Sequence, residues 1–108
     1  MAKYLFIASR DPFASNEVAR YFETAKGLKK EGHAVSILLV QNGVLPARNS
    51  TKSKLLAQLM AAGVDVLADE LSLRERGIPK ARLADGVKVS SLDVVIDCLE
   101  QDAKVLFN

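Results

Sequence analysis

The sequence has a single cysteine, Cys98, a single histidine, His33, and no tryptophan. One cysteine excludes an internal disulfide and any all-cysteine metal site within one chain. With only His33 to help, a metal centre would rest on carboxylates, and none of these cluster at ligand spacing. Long apolar runs are also missing: the longest are four or five residues, against roughly 20 for a bilayer-spanning helix. Nor does one sign of charge dominate. Fifteen Lys and Arg against thirteen Asp and Glu leave +2, too little to point to nucleic acid or a membrane. The one tight basic pair, Lys29-Lys30, falls in a helical pattern as a solvated face. There is no glycine-rich dinucleotide fingerprint and no Gly-Lys-Ser/Thr phosphate loop, so no cofactor is expected. Met1-Ala2-Lys3-Tyr4 leads straight into a strand pattern without the features of a signal peptide, which makes the cytoplasm the expected compartment.

What the sequence does contain is an ordinary globular balance, 49% hydrophobic and 26% charged, over a length that suits one domain spanning residues 1–108. Tyr4 to Ala8 is a continuous apolar run, the pattern of a strand buried on both faces. Val18, Tyr21, Phe22, Ala25 and Leu28 then recur at helical steps, with Ser15 or Asn16 as N-cap and Gly32 as the stop. Ala34 to Val40 is a second buried strand. Val44 to Ser53 reads as the longest irregular loop. Leu55, Leu56, Leu59 and Met60 mark a second helix stopped by Gly63, and Val64 to Ala68 a third strand. Asp69 to Arg76 predicts a short helix ended by Gly77 and Pro79. Gly86 to Val89 is a weak strand or turn. Ser91 caps a last helix whose stripe is Leu92, Val95, Ile96 and Leu99, and Lys104 to Phe107 forms a final strand.

Strands separated by helices impose parallel pairing with helices on both faces. The expected architecture is therefore a three-layer α/β/α domain with a mainly parallel sheet of about five strands, flavodoxin-like in layout. Ligands of such sheets sit beyond the carboxyl ends of the strands. That rule selects Ser9 to Ser15, Gln41 to Ser53, Asp69 to Gly77 and the chain end near Asn108. His33 enters the second strand at the opposite edge, where a structural role is expected. Cys98 falls one position off the last helix's stripe, as a partly buried apolar residue.

The Arg10-Asp11-Pro12 turn, Gly32-His33, Asn42-Gly43-Val44, Val64-Asp65-Val66, Leu73 to Ile78 and Gly86 to Leu92 follow one another in an order that resembles the DsrE/DsrF-like family, including its TusD-type sulfur-relay subunits. The resemblance runs over nearly the whole chain. It implies a DsrE-like fold, assembly into homo-oligomers or hetero-oligomers with related subunits, and a site just after the third strand. Active members carry a persulfide-accepting cysteine there. Counting back eight residues from Gly77 places Asp69 at that position, and a second family cysteine three residues on corresponds to Ser72.

The implied ligand-binding set is Arg10, Asp11, Asn42, Gly43, Asp69, Ser72 and Arg76, facing a small anionic or sulfur-containing ligand. Asp69 is equally placed to cap the helix it precedes. The reading that follows is a binding or assembly subunit related to sulfur metabolism, without the acceptor cysteine and without enzymatic sulfur transfer. The alternative is a sulfurtransferase or other small-molecule enzyme using Asp69 or Cys98. Apolar side chains in Val44 to Ala47 and Leu71 to Leu73 are expected to be exposed at the strand ends and to favour oligomers.

Overall fold

The computed structural model describes residues 2–9, 16–47 and 54–107. Five strands form one sheet: β1 (Lys3–Ala8), β2 (Ala34–Leu39), β3 (Asp65–Asp69), β4 (Lys88–Ser90) and β5 (Lys104–Phe107). All ladders are parallel, in the order β4-β3-β2-β1-β5. The helices are α1 (Asn16–Lys30), α2 (Lys54–Ala61), α3 (Glu70–Glu75) and α4 (Asp93–Glu100). The three-layer α/β arrangement anticipated from the alternating pattern is the one observed.

The order explains how the layers divide. From β1 to β4 every step moves in the same direction across the sheet, so right-handed crossovers place α1, α2 and α3 on one face. The step from β4 to β5 runs back across the sheet and puts α4 on the other face. The buried side chains separate accordingly. Phe6, Ile37 and Val66 pack with Phe22 of α1, Leu56 and Leu59 of α2 and Leu73 of α3. Leu5, Ile7, Leu38 and Val40 form a second cluster, met by Val94, Val95 and Cys98 of α4. Both sides of β1 and β2 are thus covered, which is why these strands read as unbroken apolar runs. The edge strands β4 and β5 are short and more exposed.

Two expectations need correction. The last helix does not bury the stripe Leu92, Val95, Ile96, Leu99. It is rotated so that Val94, Val95 and Cys98 face the sheet, while Leu92, Ile96 and Leu99 are 54–57% exposed. Val44 and Ala47 are not exposed residues of a loop. Gln41–Ala47 is a 3-10 stretch in which Val44 and Ala47 are fully buried. The remainder of that expected loop, and the Arg10-Asp11-Pro12 turn, lie outside the described residues. His33 has the structural role expected of it: its Nδ1 accepts the Ala2 N–H at 3.0 Å, and its ring meets Tyr4 edge-on.

The first three helices end in the same way. After each, a glycine at positive φ (Gly32, Gly63 or Gly77) donates back into the last turn, and the next residue's N–H reaches one carbonyl further. The last helix repeats this geometry without glycine. Asp102 sits at φ 58°, with its N–H on the Leu99 carbonyl and the Ala103 N–H on Cys98. A side chain in this left-handed region carries a steric cost that glycine lacks. Asp102→Gly is expected to stabilise the fold by about 0.5–1 kcal/mol, seen as a higher urea midpoint at unchanged slope.

Tyr21 ties α1 to the edge strand. Its hydroxyl donates to the Leu106 carbonyl, and its ring packs edge-on against Phe6 at 4.7 Å. Burial pushes the phenol up to about 12, offset in part by a backbone hydrogen bond at Ile7. Because the folded pKa lies above the unfolded one, this contribution is fully present below about pH 10 and is lost as pH rises through 12. Tyr21→Phe should cost about 1 kcal/mol near neutrality. Unfolding titrations should show the gap between parent and variant closing between those two pH values.

Candidate functional site

The connections leaving β3 and β4 turn to opposite faces of the sheet, α3 to one and α4 to the other. A parallel sheet opens a crevice where adjacent connections diverge in this way, at the carboxyl ends of the strands. Asp69 ends β3 there, paired in register with Ser90 of β4.

Asp69 is 5% exposed and caps α3. Its Oδ2 accepts both the Ser72 N–H at 3.1 Å and the Ser72 hydroxyl at 2.7 Å. The same hydroxyl oxygen accepts the Gln41 N–H at 2.8 Å. A chain of hydrogen bonds therefore runs from the backbone after β2, through Ser72, to the carboxylate after β3. Gln41 adopts φ 51°, an uncommon conformation for a residue with a side chain. The bond to Ser72 holds that turn in place.

Arg76 closes the other side. Its Nε and Nη2 donate to Asn42 Oδ1 at 3.2 and 3.1 Å, and its Nη1 donates to the Ser72 carbonyl at 3.2 Å. The guanidinium thus clamps α3 onto the Gln41–Ala47 stretch. Gly43 is buried beneath this clamp. A Cβ built on it would lie 2.1 Å from the Ala8 carbonyl oxygen, so only glycine allows the stretch to lie across the end of β1.

Next to this framework is a cleft of about 300 Å³ lined by Ile7, Val40, Gln41, Asp69, Leu71, Ser72, Glu75, Leu92 and Phe107. Of the residues singled out from sequence, Asp69 and Ser72 line it. Asn42 and Arg76 brace its wall, Gly43 packs behind it, and Arg10 and Asp11 lie outside the described residues. Sequence reasoning missed Ile7, Val40, Leu92 and Glu75 as lining residues. For Ile7 and Val40 no local signal exists, because alternation along the strands is what aims them here. Leu71 is 54% and Phe107 71% exposed, whereas Leu73, expected beside Leu71, is buried. Among the described residues the cleft is lined by two carboxylates, Asp69 and Glu75, and by no cation. The described residues hold no cluster of metal-ligating side chains, and none of their helices is long and apolar enough to cross a membrane.

A model of the DsrE/DsrF-like family matches residues 2–107. The chain belongs to the DsrE/DsrF-like family. No curated protein matches it significantly. Among solved structures, this DsrE-like chain is similar to a protein of unknown function, MTH1491, from Methanobacterium thermoautotrophicum, with TM-score 0.86, 18% identity and full coverage of both chains. It is similar to the ychN protein of E. coli at TM-score 0.84 and 24% identity, again over the whole of both. A third likeness is to BT1422 from Bacteroides thetaiotaomicron, at TM-score 0.75 and 17% identity, covering 98% of this chain and 94% of that one. At such identities the likeness speaks for a shared fold.

The framework makes a prediction about its weakest points. Ser72→Ala removes the acceptor for Gln41 and a donor to Asp69 together, and should cost about 1–3 kcal/mol. Gly43→Ala should cost at least about 2 kcal/mol, because backbone and not a flexible side chain must yield. Chemical denaturation of both variants beside the parent measures these losses. A neutral Gly43→Ala would mean that the stretch does not lie against β1.

Proposed function

We propose that this DsrE-like chain is a binding or assembly subunit, acting in the cytoplasm within a homo-oligomer or hetero-oligomer of related subunits, in a process connected to sulfur metabolism. It would not itself carry sulfur. The observation that supports this reading most is the side chain at position 69. In the family resemblance this is where the acceptor thiol stands, and here it is a carboxylate with two Ser72 donors on one oxygen.

The chemistry of transfer explains why that matters. A thiolate attacks the outer, sulfane sulfur of a persulfide, forming a new S–S bond while the donor's own sulfur leaves as a thiolate. A carboxylate offers no sulfur for that bond. Cys98 is no substitute, because it packs against the Leu5–Val40 cluster and does not line the cleft. What the site retains is a shaped, mostly apolar recess with a fixed carboxylate, suited to holding a ligand or a partner's side chain.

The test restores the missing atom. The parent protein, incubated with glutathione persulfide, should gain no sulfur by intact-mass spectrometry. In Asp69→Cys the Ser72 N–H and O–H would meet the sulfur in place of the carboxylate. That thiol should fall below the roughly 8.5 of a free cysteine, react quickly with iodoacetamide at neutral pH, and take up one sulfur atom. Stoichiometric sulfur on Cys98 of the parent would overturn the reading.

A further inference from the structure

Two further surfaces complement each other, the first meeting the cleft at Leu92. The first is the outer side of α4, where Leu92, Ile96 and Leu99 form a seam at helical spacing, each more than half exposed. By the same periodicity Asp93, Asp97 and Glu100 run along one flank of that seam, and α4 contains no basic residue. The second surface is a groove of about 520 Å³ beside α3 and the edge strand β4. Its walls are apolar (Leu73, Ile78, Pro79 and Val89), and Arg74 and Lys80 stand on it together with Glu70. Neither of these cations makes a hydrogen bond or ion pair through its side chain to another described residue.

We propose that the α4 seam of one copy docks into the α3–β4 groove of a second copy. The proposal rests on the assembly reading above and specifies its interface. Three features favour this occupant. A pair of α4 helices packed against each other would bring three carboxylates from each copy and no cation to the contact, which is repulsive. The groove supplies the missing positive charge. Among the described residues the other apolar recess, the cleft, carries Asp69 and Glu75 and no cation, so the groove is the recess whose charge complements the acidic flank of α4. Seam and groove are different surfaces, so the contact is heterologous. Successive copies then add head to tail, and they form a closed ring if the rotation between copies returns to its start.

Heterologous docking has a signature in mixtures. At micromolar concentration the parent should sediment as an assembly larger than a monomer. Ile96→Glu, which spoils the seam, and Arg74→Glu/Lys80→Glu, which reverses the groove, should each be monomeric while keeping the parent's circular dichroism. Each association constant should fall at least tenfold. Mixed together, the two variants should form a 1:1 dimer, because one intact seam still meets one intact groove. Four results would overturn the interface: a monomeric parent, variants that assemble like the parent, a groove variant that alone still self-associates, or a mixture that stays monomeric. An oligomeric parent indifferent to both variants would remove this interface and leave the assembly reading standing. Sulfur uptake by Cys98 would remove the proposed function and leave the interface untouched.

Discussion

The structure depends on the handedness of its crossovers. A parallel strand can be followed by its neighbour only through a connection that crosses a face of the sheet, and that connection turns right-handed. Three successive crossovers in one direction place three helices on one face. The single reversal, from β4 back to β5, leaves α4 alone on the other. The rest follows from this imbalance: the divergent connections that open a crevice beside Asp69, the thin cover over Leu5, Ile7, Leu38 and Val40, and the apolar side chains left exposed around it.

Much of this was legible in the sequence, for reasons particular to each element. Tyr4 to Ala8 and Ala34 to Val40 could be read as central strands because burial on both faces leaves no polar alternation. The helix ends were legible in Gly32, Gly63 and Gly77. The orientation of α4 was not. Val94, Val95 and Cys98 are as apolar as Leu92, Ile96 and Leu99, so periodicity offers two faces, and only the sheet's position selects one. The Gln41–Ala47 stretch was misread for a similar reason. Its shape comes from Gly43 lying on the Ala8 carbonyl and from the burial of Val44 and Ala47, contacts with no trace in neighbouring residues.

The candidate site divides along the same line. Asp69 and Ser72 stand three apart at a strand–helix junction, which is the spacing of a cap, and their bond was visible in advance. The contribution of Gln41 passes through a backbone N–H, which every residue but proline has, so no residue type announces it. Ser72 thereby serves two masters. It satisfies the carboxylate that caps its own helix and anchors the turn after the neighbouring strand. Binding that disturbs one of these bonds is felt by the other.

The pairing of β1 with β5 has a consequence for how the chain is made. Tyr4 lies opposite Lys104, and the Tyr21 hydroxyl waits for the carbonyl of Leu106. During synthesis one whole flank of the first strand therefore stays open while nearly every other element emerges. Contacts so distant in sequence form late, after the entropy of closing the long loop has been overcome. Until then Leu5 and Ile7 lie along an unpaired edge, and the nascent chain passes through a stage at which it can pair with the wrong neighbour. Closing that edge falls to a strand of four residues and one phenolic hydroxyl.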